Sequence, residues 1–132
     1  MDITRAGSRP SAAGPDDYFT GRVRVDAPFA GSGALSGATV TFEPGARTAW
    51  HTHPLGQTIL IMSGAGRVQR EAGPVEHVRP GDIIFFAPNE RHWHGAEADC
   101  AMSHIAIAEK QDGSVVTWME KVSDADYNGE TR

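Results

Sequence analysis

"WHTHPLGQT", residues 50–58, sets two histidines one residue apart and a glutamine four residues further on, at the head of a strand-like run. Side chains alternate faces along an extended chain, so His51 and His53 project to the same side. Two imidazoles held in this way can share one metal ion. An isolated His-x-His is as often plain polar surface on a wet sheet face. Here five of the six histidines stand at 51, 53, 92, 94 and 104, in strand-like segments, and two pairs repeat the His-x-His spacing. That clustering favours ligation over decoration.

Outward from this stretch the chain reads as short strands and tight turns. "GRVRVD" (21–26) alternates with period two, and "GATVTFEPG" (37–45) is a strand closed by a Pro-Gly turn. "TILIMSGAGRVQRE" (58–71) reads as two strands around a glycine-containing turn. "HVRPGDIIFFAPNERHWHG" (77–95) repeats strand, Pro/Gly turn, strand, and "AMSHIAIAE" (101–109) adds one more. Only "SDADYNGE" (123–130) reads as helical, with Ser123 as N-cap ahead of acidic residues that suit a helix N-terminus. Strands at this spacing without intervening helices predict an all-β sandwich or barrel with a short C-terminal helix. The expected organisation is an arm over 1–17, a barrel over 18–120 and a partly helical tail over 121–132.

Composition agrees with one globular domain: 132 residues, 39% apolar and 22% charged, with 15 Gly and 8 Pro for turns. Seventeen acidic against twelve basic residues give a net charge of −5, with no Lys/Arg cluster to follow a phosphate backbone, so nucleic acid is not expected as a partner. No apolar run approaches the roughly 18 residues of a membrane span. The N-terminal stretch lacks the apolar centre of a signal peptide, and the single cysteine, Cys100, reads as an inert thiol. A cytoplasmic protein is expected. Arg47 and Glu43 flank a turn and are expected as a solvated pair or as hydrogen-bond partners of the loop, and His77 as a surface residue.

"GARTAWHTHPLGQTILIMSG" matches G-x5-H-x-H-x3-E-x6-G at every spacing from Gly45 to Gly64, with Gln57 in the place of glutamate. This is the first motif of the cupins, and the chain resembles that superfamily. The second motif, G-x5-P-x-G-x2-H-x3-N, is looser: counting from Gly81 selects His92, while Pro88 falls one place late and Ala96 replaces the last asparagine. Asn89 replaces the inner glycine, a mild change because asparagine tolerates left-handed backbone angles.

The resemblance implies a single-domain jelly-roll β-barrel with a metal in its mouth. The longer run "TFEPGARTAWHTHPLGQT", with "HWHG" and "SHIAI" after it, is similar to the manganese-dependent hydroxynitrile lyases of cupin type, in which glutamine replaces the usual glutamate. Carried over by position, His51, His53, Gln57 and His92 bind the metal, and His104 and His94 line the pocket and move the proton. Ala38 and Val40 shape the cavity. Ile59 and Phe85, with Ile61, are further inward candidates, whereas Trp93 faces the other way.

Three neutral imidazoles and an amide leave a divalent ion its full formal charge, which favours polarising a substrate oxygen over activating dioxygen. The implied reaction is cleavage of an α-hydroxynitrile to an aldehyde or ketone plus HCN, and its reverse. Mn2+ follows from the resemblance; Fe2+, Co2+, Ni2+ and Zn2+ suit the same donors. Two other readings stay open, a dioxygenase or isomerase with another small-molecule substrate, and a non-catalytic metal-binding module. Exposed sheet edges predict self-association as a dimer or tetramer, with the arm as an exchanged strand.

Overall fold

Period-two alternation leaves one apolar face on each strand, and two curled sheets bury these faces against each other in the jelly-roll barrel. The structure, a computed structural model, describes residues 1–31 and 33–130; residues 131 and 132 of the expected tail lie outside them. In chain order the strands are β1 (Ser11–Ala13), β2 (Phe19–Thr20), β3 (Val23–Ala30), β4 (Leu35–Phe42), β5 (Arg47–Thr48), β6 (His51–Thr52) and β7 (Gln57–Gly64). They continue as β8 (Gly66–Arg70), β9 (Glu76–Val78), β10 (Ile83–Phe86), β11 (His92–Ala96), β12 (Met102–Glu109) and β13 (Thr117–Trp118), followed by helix α1 (Asp124–Tyr127). One sheet runs β1-β3-β4-β12-β7-β10; the other runs β13-β6-β11-β5-β2, with β8 on β11 and β9 on β8. No helix among the described residues is long and apolar enough to cross a membrane.

Phe42, Ile59, Ile61, Met102 and Phe86 form the centre of the barrel core. The turn between β7 and β8 depends on Gly64, which has φ 78° and whose missing Cβ would sit 1.8 Å from the Ala101 carbonyl oxygen. This is the final glycine of the first motif, and both backbone angle and space require it. Asn89 has φ 61°, the left-handed conformation expected where the second motif has glycine.

Several expectations are corrected. The strand expected over 21–26 starts at Val23 and runs on to Ala30, because a bulge between Asp26 and Phe29, with Ala27 at φ 50°, absorbs the break in alternation. Within the arm, Ser11–Ala13 pair with β3 of the same chain, and Arg24 donates to Ser11 Oγ at 2.8 Å. The helix covers only Asp124–Tyr127, capped as expected by Ser123, and ends at Asn128 ahead of Gly129 at φ 72°.

Arg47 is a buried anchor and not a solvated partner of Glu43, and it does bond the loop, donating to Gly45 O at 3.3 Å. It is 6% exposed, donates to Val122 O and Asp124 Oδ1 at 2.8 Å each, and stacks 4.5 Å from the Tyr127 ring. Arg67 stacks on the same ring at 4.4 Å, and the Tyr127 hydroxyl donates to Ala96 O at 2.6 Å. Tyr127 with Trp50, Trp93 and Val122 forms a second apolar cluster, which packs the C-terminal segment against the Trp93 side of β11. Trp93 therefore faces outward, as expected, and its indole N–H donates to Gln69 Oε1 at 2.8 Å. His77 is a surface residue, bonded to Glu97.

Candidate metal centre

His51 and His92 are direct cross-strand partners on β6 and β11, so their side chains meet on one face. Their ring centroids are 4.3 Å apart. His53 lies just beyond β6, 5.0 Å from the His51 ring and 5.5 Å from the His92 ring. One ligand atom from each of the three falls within 4.8 Å of the others. Gln57, first residue of β7, brings Oε1 to 3.4 Å from His92 Nε2. The four positions selected by sequence are thus gathered at one point.

The orientation of each ring is fixed from behind. Nδ1 of His51 lies 2.9 Å from Ala49 O, that of His53 2.7 Å from Val115 O, and that of His92 2.7 Å from Glu90 O. A carbonyl only accepts, so each Nδ1 carries the hydrogen and each Nε2 presents a lone pair. His53 Nε2 is buried with no hydrogen-bond partner among the described residues. An orphaned acceptor of this kind is costly unless something electrophilic occupies the space beside it. Phe86 stacks on His92 with centroids 3.6 Å apart, and Trp118 lies 4.8 Å from His51, which holds the rings from the sides. Three imidazole nitrogens and an amide oxygen suit a divalent transition metal, and the hydrogen-bonded Nδ1 atoms are the usual support of such ligands.

Burial, before any other cause, pushes all the site imidazoles toward their neutral forms: His51 and His94 well below the usual value, His53 below it, and His92 and His104 down to about 3. His104 and His94 form a second pair, with His104 Nε2 and His94 Nδ1 3.0 Å apart. Only one hydrogen fits between these nitrogens. Whichever ring donates it, one outer nitrogen of the pair keeps a lone pair and the other carries N–H, and both His94 Nε2 and His104 Nδ1 lack partners among the described residues.

A cavity of about 540 Å³ opens beside these groups, lined by His51, His53, Gln57, His94 and His104 and by apolar residues including Val25, Phe29, Val116 and Trp118. Ala38 and Val40 stand on its wall, on β4, opposite Ala106 and His104 of β12. Ile59 does not: it is wholly buried in the core beyond the cavity. Ile61 is also in that core. Phe85 is corrected too, because it is 62% exposed on the outer face of β10. Its neighbour Phe86 faces inward, since its β7 partner is Gln57. Sequence reading missed Phe86, Trp118 and the Val115 carbonyl; a Phe-Phe pair has no internal parity signal, and the last two reach the site through a long loop.

A cupin domain model matches residues 38–107. The chain belongs to the cupin domain family. It is 55% identical over 129 residues, 96% of this chain and 98% of the other, to an (R)-mandelonitrile lyase of Granulicella tundricola. The crystal structure of a cupin-like protein of Thermotoga maritima is similar at 35% identity and a TM-score of 0.82, over 97% of this chain and 96% of that one. DMSP lyase DddQ of Ruegeria pomeroyi shares the fold at 19% identity and a TM-score of 0.65, over 93% of this chain and 62% of that one.

The buried neutral imidazoles make metal-free stability depend on pH. His92 and His104 hold folded pKa values of about 3, against roughly 6.5 in an unfolded chain. Between those limits the unfolded chain binds protons that the folded chain refuses, so stability rises with pH across the window and falls as the medium is acidified through it. Thermal unfolding of chelator-treated protein from about pH 7 down to about pH 4 is expected to show a steadily falling midpoint. The His104→Gln protein is expected to show a shallower slope; an equal slope contradicts the assignment.

Proposed function

We propose that this protein is a metal-dependent lyase that cleaves α-hydroxynitriles to an aldehyde or ketone and HCN, and catalyses the reverse addition. The observation that carries this reading is the 55% identity, along nearly the whole of both chains, with an (R)-mandelonitrile lyase. The cavity supports it, with apolar walls for an aryl group beside a polar cluster for the hydroxyl.

In this reading His51, His53, Gln57 and His92 hold one divalent ion. When bound, the ion supplies Lewis acidity toward the substrate oxygen, undiminished by any anionic ligand. Mn2+ is chosen on the resemblance of the sequence to the manganese-dependent lyases of this family. The His104–His94 pair accepts the hydroxyl proton at its free lone pair. As the bond between the carbinol carbon and the nitrile breaks, the bonding electron pair leaves on cyanide and the carbonyl forms. The imidazolium then returns the proton to cyanide, giving HCN. Burial lowers His104 to about 3, so it rests neutral at working pH. Ala38 and Val40 shape the space for the substituent on the carbinol carbon.

We also propose self-association through the outer face of β7, β10 and β12. Thr58, Leu60, Met62, Ile83, Phe85, Ser103, Ile105 and Ile107 alternate with the inward residues of these strands, and the only charge in these rows is Glu109, at the end of β12. Ile83, Phe85 and Met62 are 67%, 62% and 55% exposed. A two-fold contact sets residues near its axis against their own copies, so a face with no charge at its centre is compatible with itself. A reducing, cytoplasmic setting fits the free thiol of Cys100.

Benzaldehyde release from mandelonitrile is expected to stop on chelation and return with Mn2+. Gln57→Glu is expected to lower it at least about tenfold and to shift the metal's redox behaviour while the protein stays folded; unchanged cleavage removes the argument from ligand charge. Light scattering is expected to give a multiple of the 14.1 kDa chain, reduced by Phe85→Glu. A wild-type particle of single-chain mass contradicts the association.

A further inference from the structure

The inward face of β12 continues past the end of the strand. Residues two apart share a face, so Met102, His104, Ala106, Ala108 and Lys110 form one row. It runs from sealed core to open rim: His104 is 0% exposed, Ala108 8%, and Lys110 is exposed. The Lys110 backbone N–H donates to Ala34 O at 2.9 Å, which ties down the end of the row. Gln57 stands across from Ala108 on β7. Lys110 is therefore one inward step, roughly 7 Å along the strand, to the mouth side of that pairing. His104 lies two steps to the inner side.

Lys110 is the one formally charged side chain among the described residues lining the cavity. It makes no ion pair among the described residues. In a chain of net charge −5, an unpaired cation on a rim whose other described side chains are neutral runs against the bulk charge. Alternation along the strand turns its neighbour Glu109 away from the cavity. A lysine ammonium is a compact charge that suits a small anion without a planar fork to match.

We propose that Lys110 captures the small anion of the reaction at the cavity mouth, gathering cyanide there as it enters for the addition; in cleavage the product passes the mouth as neutral HCN. The proposal rests on the hydroxynitrile reading above. Lys110 takes no proton in it: the electron pair of the broken carbon–carbon bond leaves on cyanide, and the hydroxyl proton travels through the His104–His94 pair. Lys110 contributes a fixed positive charge on the path between the reacting carbon and solvent.

Thiocyanate, a linear monovalent anion that stays charged at all working pH values, is the probe. In the metal-loaded enzyme, Lys110→Met is expected to raise its inhibition constant at least about fivefold, Lys110→Glu further, and Lys110→Arg to retain most of the affinity. In the addition direction, the KM for cyanide is expected to rise in the Met variant by more than the KM for benzaldehyde. An inhibition constant unchanged within about twofold in the Met variant, or both KM values moving together, overturns the proposal. If the wild-type enzyme does not cleave mandelonitrile, the hydroxynitrile reading fails on its own, and calorimetric thiocyanate binding to wild type and Lys110→Met still decides whether Lys110 captures anions.

Discussion

The arrangement of this protein turns on three backbone carbonyls. Ala49, Val115 and Glu90 each accept a hydrogen bond from the Nδ1 of one histidine, and that commitment turns three Nε2 lone pairs toward one another. Burial keeps the rings neutral, so their mutual approach carries no charge repulsion. The carbonyls come from three different places: the bend before β6, the turn before β11 and the loop before β13. Their agreement is a property of the closed barrel rather than of any local segment. The C-terminal latch of Arg47, Tyr127 and Trp93 supports the same point from outside, because it stiffens the strand that carries His92 and His94.

The donor set determines the chemistry. The three imidazoles and the Gln57 amide gathered at one point are uncharged donors, so a divalent ion held by them would keep its full formal charge. The second imidazole pair stands apart from this cluster, linked to it by packing: His94 lies 5.2 Å from the His51 ring and 4.7 Å from that of His104. One group of histidines thus converges on a common point, and the other forms a close pair beside it. The cavity wall is small and apolar where Ala38 and Ala106 face each other on β4 and β12.

Features set by local spacing were legible in the sequence. Gly45 to Gly64 gave the first motif, its last glycine has the positive φ that the turn demands, and Asn89 adopts the left-handed angle that makes it an acceptable stand-in for glycine. Ser123 was readable as a cap because capping is a contact within one turn. What the sequence withheld depends on pairing across strands. Phe85 and Phe86 are chemically alike, and only the partnership of Phe86 with Gln57 decides which faces the site. Ile59 does point inward, but its depth follows from where the core ends. Arg47 is buried only because a segment about 75 residues later folds back over it. The bulge at Ala27 could not be seen from an alternation that had already lapsed.

The most direct test is the metal content of the purified protein, measured by elemental analysis beside that of the His92→Ala variant. If three imidazoles and a carboxamide hold one cation, the wild type carries one divalent ion per chain, and the variant, still folded, retains less than about a tenth of that. Equal occupancy in the two proteins, or a wild type that binds no divalent metal when supplied with Mn2+, contradicts the account.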